Sequence, residues 1–352
     1  MAHNEQNNSF HDNQYGGRKG RQSQSAILNK ILTLDIVRYQ AEEAGLLDND
    51  AKACYDRVLP YLTAFMLRRL GMPYYLTRFM CVVLIEMEYK IKLGNGMTKS
   101  YSNKDSDIFG TGQGAGWSPT CWAVNSDVIS HSMEKYTPGM TLVHPNGEVY
   151  SDVKMVAFID DTSMGVSTEG VKRFHPQNYW PLQPQPDMRQ QLQANIGFYG
   201  RTLESTGGAL AREKCKAYLI MFLWVNGVKI MLQNKNDFEP LKVFSLLTRM
   251  CHFIKLANPD EAFRMLGAFV APNGSTTTQV KILKEMTQKW ADKLQRSYLT
   301  PHESLIAFKQ VLFPAVVYPV AVMPLTEQEC NGIMKPATQV LLKKLHMPRN
   351  TN

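Results

Sequence analysis

The sequence contains few cysteines, and none of the spacings in which cysteine usually binds metal or cross-links a chain. Its 352 residues include six cysteines, and no two of them form a Cys-x-x-Cys pair. This spacing provides neither a zinc signature nor a disulfide framework. We therefore expect an intracellular protein of a reducing compartment, cytoplasm or nucleus, rather than a secreted one.

Long hydrophobic runs are also missing. A membrane-spanning helix needs a run of about 18 or more apolar residues, and the nearest approach, Tyr218 to Val228, is shorter and fits a buried strand and turn. Residues 1–25 are rich in Asn, Gln, Ser and Gly and lack the apolar segment of a signal peptide. The sequence predicts no membrane partner and no secretion.

The composition is that of a globular protein with a basic surplus. Hydrophobic residues make up 44% of the chain, charged residues 20%, and the formal net charge is +8. A positive surplus favours polyanionic partners because each neutralised phosphate releases counterions. Charge alone fits a basic soluble protein without a nucleic-acid role equally well.

Two adjacent aspartates, Asp160 and Asp161, follow the apolar run Val156 to Ile159 and precede small polar residues. We expect two strands, over 153–159 and 163–167, with both aspartates in the turn between them. Asp50 ends a second candidate strand, and carboxylates on two converging strands can hold two Mg²⁺ ions for nucleotidyl transfer. A solvated turn, with Asp48 and Asp50 as ordinary strand-end residues, is the simpler alternative.

A glycine-rich segment, residues 110–119, precedes a predicted helix. Its glycines would let backbone N–H groups approach an anion. It lacks the Gly-Lys-Ser/Thr of a Walker loop, so nucleotide hydrolysis by that route is unsupported. We also expect Ser118 to cap the helix and Pro119 to lie in its first turn.

Periodicity and turn residues predict the remaining elements. Asn95-Gly96 predicts a hairpin, and an irregular loop is expected over 170–187. Helices are expected over 26–44, 57–70, 73–89, 120–133 and 188–205 and, with breaks at prolines, from 277 to the C-terminus. Further strands are expected over 46–50, 215–224, 229–232 and 264–270.

Six segments, in this order, resemble motifs of the reverse transcriptases of non-LTR retroelements and group II-intron-like elements. Cys54 stands in the place of an alanine and Gly17 in the place of an aromatic residue, and the resemblance covers residues 14 to about 270. The segments are Gln14 to Arg21; Asp50 with Ala53 to Val58; Gln113-Gly114 with Ser118-Pro119; Phe158 to Asp161; Thr206 to Leu210 with Lys214; and Leu266-Gly267.

The resemblance implies an α+β fold, a right-hand polymerase palm made of an antiparallel sheet with flanking helices, truncated fingers and a helical thumb. Residues 1–25 would be a flexible N-terminal segment and fingers remnant, 26–270 the fingers remnant and palm, and 271–352 the thumb. Family members carry further fingers before the segment at Gln14. Endonuclease, RNase H and zinc-knuckle patterns are absent from the sequence.

The resemblance also implies a role for each matching residue. The catalytic carboxylates, holding two Mg²⁺, would be Asp50, Asp160 and Asp161, and the dNTP would contact Ala51, Tyr55, Gln113, Gly114 and Lys214. Nucleic acid would contact Arg18, Lys19, Arg21, Leu266 and Gly267. The ring of Tyr55 would collide with a 2′-hydroxyl and so select deoxynucleotides.

The resemblance thus predicts a retrotransposon RNA-directed DNA polymerase, a nucleotidyltransferase that uses an RNA template, a DNA primer and dNTPs. It leaves the oligomeric state open. An inactive truncated remnant that binds nucleic acid without catalysis is the alternative. A viral RNA-dependent RNA polymerase is disfavoured by Tyr55, and by Ile159 where glycine usually precedes the paired aspartates.

Overall fold

The computed structural model describes residues 10–102, 110–112, 115–144, 146–175, 186–232 and 238–348. The chain forms two compact units. Within the described residues, the first comprises 10–26 and 36–258, and the second comprises 27–35 and 259–348. The sequence places a boundary after residue 270, and the assignment of fingers, palm and thumb stays a prediction.

Helices make up much of the described chain, and their ends follow from local chemistry. Asp187 and Gln190 form a capping box before the helix Met188–Ser205, and the pairs Thr300–Glu303 and Thr326–Glu329 do the same before the helices Pro301–Ala307 and Glu327–Lys344. The helices are α1 (Ser23–Gln40), α2 (Cys54–Arg57), α3 (Pro60–Arg69), α4 (Tyr74–Glu86), α5 (Ser118–Tyr136), α6 (Thr168–Phe174), α7 (Met188–Ser205), α8 (Thr277–Arg296), α9 (Pro301–Ala307), α10 (Phe313–Val320) and α11 (Glu327–Lys344), with a 3₁₀ turn at Arg212–Lys214 and a π-helical turn at Phe308–Leu312.

One expected helix begins later than predicted, and one expected loop contains a helix. The helix expected over 57–70 is present as α3 but begins three residues later, because Pro60 lacks an N–H group and favours the first position of a helix, while Arg57 ends α2. The loop expected over 170–187 overlaps α6, whose first turn is capped by the Ser167 hydroxyl accepting from the Gly170 N–H. Residues 176–185 of the expected loop lie outside the described residues.

The strands are short and pair antiparallel. They are β1 (Ala44–Asp50), β2 (Glu88–Tyr89), β3 (Lys92–Leu93), β4 (Gly96–Met97), β5 (Tyr101–Ser102), β6 (Met140–Val143), β7 (Val149–Val153), β8 (Met155–Phe158), β9 (Asp161–Ser167), β10 (Lys216–Ile220), β11 (Phe222–Val225), β12 (Val228–Met231), β13 (Leu241–Phe244), β14 (Cys251–Ile254), β15 (Phe263–Met265) and β16 (Ala268–Val270). The hairpin predicted at Asn95-Gly96 is present as β3–β4.

A four-stranded antiparallel sheet of order β10-β1-β9-β8 forms the centre of the first unit. β1 lies between β9 and β10, with Leu47 opposite Met164 on one side and Ala217 on the other. Buried side chains of α5 and α7 share one hydrophobic cluster with this sheet, including Trp122, Ile129, Leu192 and Ile196. The mixture of helices with antiparallel strands confirms the α+β prediction at this level.

The strand expected over 264–270 is wrong as a single element. Residues Leu266 and Gly267 form the turn of the β15–β16 hairpin in the second unit, with φ of 51° and 91°. The core of that unit is built from α8, α11 and the chain between them, including Val280, Leu283 and Ile333.

The sequence predicts no membrane-spanning segment, but the helical run Pro301–Val320 is a candidate for one by length and composition. It has 20 residues, and an 18-residue window within it has a mean hydropathy of 1.2 and is 22% buried. In the described part of the chain it alone is long and apolar enough to span a bilayer. The sequence pattern did not single it out because His302, Glu303 and Lys309 interrupt it. One such helix is weak evidence, since helices of soluble proteins pass the same test.

Candidate active site

Three aspartates meet at one end of the central sheet. Asp50 is the last residue of β1 and pairs in register with Asp161, the first residue of β9. Ile159 and Asp160 form the two-residue turn from β8, and the Asp160 carbonyl accepts from the Ala51 N–H at 3.2 Å. Asp161 therefore begins a strand instead of lying in the turn as predicted. The register alone brings the three residues and Ala51 together.

The electrostatics of this edge favour a cation. Burial raises the pKa of the Asp160 carboxyl, and the charge of Asp50 adds to the shift. The Asp50 side chain is itself only 14% exposed. Two neighbouring carboxylates with restricted access to water repel each other, and a positive charge relieves this repulsion.

Lys214 provides one such charge. Its Nζ lies 2.5 Å from Asp50 Oδ2, and this hydrogen bond raises the pKa of Lys214. The 3₁₀ turn that carries Lys214 is joined to β1 because the Ala211 N–H donates to the Asp50 carbonyl at 2.9 Å. The side chain remains 62% exposed, so its ammonium group is accessible to a ligand.

The turn that carries Asp160 is fixed from two sides. The Trp122 indole, 2% exposed, donates from Nε1 to the Ile159 carbonyl at 2.5 Å. The N-terminal segment pairs with β8 through Tyr15 N–H and the Ala157 carbonyl at 2.8 Å. A Cβ on Gly16 would lie 2.4 Å from Ile159 N, so only glycine allows this close approach.

Tyr55 lies on α2, directly after the β1 edge, and is half-buried. Burial raises the pKa of its phenol, and the charge of Asp160 contributes in the same direction. The Tyr55 carbonyl accepts from the Thr111 N–H at 2.7 Å. The segment before α5 therefore lies against the helix that presents Tyr55.

The glycine-rich segment is only partly described, and Gln113 and Gly114 lie outside the described residues. Ser118 is the first helical residue, not the cap, and its hydroxyl donates to the Gly112 carbonyl at 2.7 Å. Gly110, with φ of 76°, lies so close to the backbone of Asp56 that a Cβ would lie 2.7 Å from its Cα. Pro119 lies in the first turn of α5, as predicted.

The carboxylates at this edge are donors of the kind that Mg²⁺ prefers. Carboxylate oxygens are the hard ligands that Mg²⁺ prefers, and Asp50 and Asp160 present them at a partly desolvated edge. Among the described residues, no group of three or more His, Cys, Asp or Glu side chains is already clustered as a metal site. Lys214 holds one of the Asp50 oxygens, so metal binding there requires the ammonium to move.

The remaining site predictions concern nucleic acid and stay predictions. Arg18 is 8% exposed, and its guanidinium donates to the carbonyls of His11 and Gln14. Lys19 is exposed. Arg21 pairs with Asp12 at 3.3 Å. Leu266 and Gly267 belong to the second unit.

Sequence reasoning missed several residues that position this edge. Trp122 and Gly16 hold the turn, and buried Asp48 accepts from the Ser163 hydroxyl at 2.5 Å. The two-residue spacing of Asp48 and Asp50 could have indicated that both side chains lie on one face of β1. Gly16 lies in the segment Gln14 to Arg21 that resembles a family motif, but nothing in the sequence signalled that Gly16 and Trp122 both contact Ile159, because that residue is distant in the chain.

Comparisons with known proteins give low similarities only. No protein-family model and no curated protein matches the sequence. Among solved structures, the chain is similar to a telomerase from Candida albicans in complex with a TWJ fragment of telomeric RNA, with a TM-score of 0.41 and 12% identity over 99% of this chain and 54% of that one. A C-terminally truncated apo telomerase from Candida tropicalis gives a TM-score of 0.39 and 14% identity over 71% of this chain and 43% of that one.

The chain thus spans about half the length of these telomerase chains. We base the functional proposal on the geometry of the site.

Proposed function

We propose that the chain is an RNA-directed DNA polymerase of retroelement type, an intracellular nucleotidyltransferase that extends a DNA primer with dNTPs on an RNA template. The observation that carries the proposal is the meeting of Asp50, Asp160 and Asp161 with Lys214 at one sheet edge. The motif order in the sequence supports it independently.

In the proposed reaction the primer 3′-oxygen forms a bond to the α-phosphorus, and the bond from that phosphorus to its bridging oxygen breaks. The hydroxyl proton leaves to solvent, and pyrophosphate departs with the bonding electrons. Asp50 and Asp160 would hold two Mg²⁺ ions, which when bound favour the deprotonated hydroxyl and neutralise the phosphates.

Lys214 has two tasks in this scheme. Before metal binds, its ammonium compensates the charge of Asp50. Once Asp50 is engaged elsewhere, the exposed ammonium is free to stabilise the negative charge that develops on the leaving phosphates.

Primer extension on an RNA template, with purified chain, Mg²⁺ and dNTPs, tests the proposal. We expect Asp160→Asn to reduce the extension rate by about a hundredfold or more, because the carboxylate acts where charge develops in the transition state. Glu148→Gln removes an exposed carboxylate of the connection between β6 and β7, outside the residues assigned to the site, and is the matched control. Extension that survives in Asp160→Asn would overturn the assignment of this residue.

A second candidate, nucleic-acid binding without catalysis, is favoured by the 2.5 Å ion pair that holds the Asp50 oxygen. Salt-sensitive binding of an RNA–DNA duplex without any extension would support this candidate against the first.

A further inference from the structure

A cleft opens on the first unit beside the three aspartates. Its volume is about 190 Å³, smaller than the pockets that hold drug-sized ligands. Lys52, Arg57 and Arg212 contribute the positive charges of its lining, and Glu204 and Glu213 the negative ones. A site of this size and charge suits a small multivalent anion rather than a whole nucleotide.

The backbone connects this cleft to the candidate active site. The Lys52 N–H donates to the Ala209 carbonyl at 2.8 Å, and Ala51 bridges to Leu210. Lys52 follows Asp50 by two residues, and Arg212 precedes Lys214 by two. The short stretch of backbone pairing between residues 50–52 and 209–211 therefore connects the Asp50–Lys214 pair with two of the cations of the cleft.

The cations of the cleft are available for a ligand. In the parts of the chain that the structure describes, the side chains of Lys52, Arg57 and Arg212 form no hydrogen bond or ion pair within the protein, and Arg57 Nε is buried without a partner. The Glu204 carboxylate, in contrast, already accepts from the Leu246 N–H at 2.7 Å. A buried guanidinium N–H left unpaired is costly, and an anion in the cleft would satisfy it.

The charge of Arg212 is also felt by a neighbouring group. Burial lowers the pKa of His252, and the positive charge of Arg212 lowers it further. The negative charge of Glu204 acts in the opposite direction and raises the pKa of His252, so charges of both signs in the cleft lining act on this side chain.

We propose that this cleft binds inorganic pyrophosphate, the leaving group of the proposed reaction, with Arg57 and Arg212 as its main ligands. The inference rests on the proposed function for the source of the anion, and on the cleft alone for its chemistry. Arginine suits such an anion because its planar fork donates two parallel hydrogen bonds.

Isothermal titration of the full chain with sodium pyrophosphate, without Mg²⁺, tests the inference. We expect saturable binding that weakens by about tenfold or more in Arg57→Gln with Arg212→Gln, since each removes a charge-assisted hydrogen bond. Arg201→Gln, on α7 outside the cleft lining, is the matched control and should bind as the unmodified chain does. Lys52→Gln with Arg212→Gln leaves Arg57 in place, changes an exposed lysine instead, and covers the case in which the Arg57 variant does not fold.

Each result has one meaning. Undetectable binding, or equal affinity in the unmodified chain and in a folded cleft variant, overturns the inference. Equal affinity for sulfate shows a general anion site and also overturns it. Pyrophosphate binding that depends on the cleft arginines, in a chain that does not extend primers, supports the cleft and removes the polymerase proposal. If the unmodified chain extends primers and the cleft variants bind pyrophosphate as it does, the inference about the cleft is overturned and the polymerase proposal stands.

Discussion

Asp48 and Asp50 are the same residue type on one strand, but their positions along the strand give them different surroundings. Both lie on β1, two residues apart and therefore on the same face. Asp48 is 1% exposed and accepts from Ser163, whereas Asp50 ends the strand and faces Lys214. The deeper carboxylate is buried and held by Ser163 through Oδ1, and the terminal one lies beside the exposed Lys214.

Tyr55 leads to a prediction about sugar selection. We expect Tyr55→Ala to reduce discrimination against ribonucleotides by about ten- to a hundredfold, because removing the ring opens the space next to the sugar. Single-nucleotide insertion with dTTP and with UTP, compared as kcat/KM, measures it. Tyr55→Phe keeps the ring and should keep the discrimination. Unchanged selectivity in Tyr55→Ala would show that the half-buried ring belongs to the core only.

At the scale of elements, the β8–β9 hairpin depends on an unfavourable residue in its turn. Ile159 has a φ of 57°, a left-handed conformation that costs a β-branched residue about 1–2 kcal/mol. The turn persists because its surroundings hold it, through the Trp122 indole on the Ile159 carbonyl and the pairing of β8 with β9. The contacts that hold this strained turn also position Asp160.

In most strands and helices an alanine variant is more stable than a glycine variant, and we expect the opposite order at Ile159. Both Ile159→Ala and Ile159→Gly lose the packing of the side chain, but only glycine also relieves the left-handed strain. We expect Ile159→Ala to have a free energy of unfolding about 1 kcal/mol lower than Ile159→Gly. Urea denaturation monitored by circular dichroism measures the difference.

Ile230 in β12 provides the control for this comparison. Its strand backbone has no left-handed conformation, so the usual order applies and Gly should be about 0.5–1 kcal/mol less stable than Ala. The same order at both positions would show that Ile159 is not strained in solution.

At the scale of the whole molecule, the formal charge of +8 predicts salt-dependent binding of nucleic acid. We expect the logarithm of the association constant to fall linearly with the logarithm of salt concentration, by about 0.7–0.9 for each phosphate contacted. Lys19→Gln should lower this slope by about one contact. Fluorescence anisotropy of a labelled RNA–DNA duplex at several salt concentrations measures it.

Lys135→Gln is the matched control for the salt series, since this exposed lysine lies at the end of α5 and no motif assigns it a phosphate contact. Identical slopes in the unmodified chain and in Lys19→Gln would remove Lys19 from the nucleic-acid surface. If the affinity of the unmodified chain for the duplex does not change with salt concentration, its positive charge does not drive the binding.

The sequence by itself determined the features that local patterns encode. Periodicity located α7 and the C-terminal helices, short apolar runs located β1 and β8, and the adjacent aspartates marked the end of β8, although Asp161 belongs to β9 and not to the turn. These features depend on residues within a few positions of each other, where backbone preferences and side-chain spacing act directly.

Only the tertiary structure decided which side chains meet. Lys214 and Asp50 are 164 residues apart in sequence, and the ladder that joins them also creates the cleft of Lys52, Arg57 and Arg212. In the same way, Arg18 looks like a free basic residue in the sequence but is buried against backbone carbonyls. Contacts of this kind follow from strand register and core packing, which no local pattern specifies.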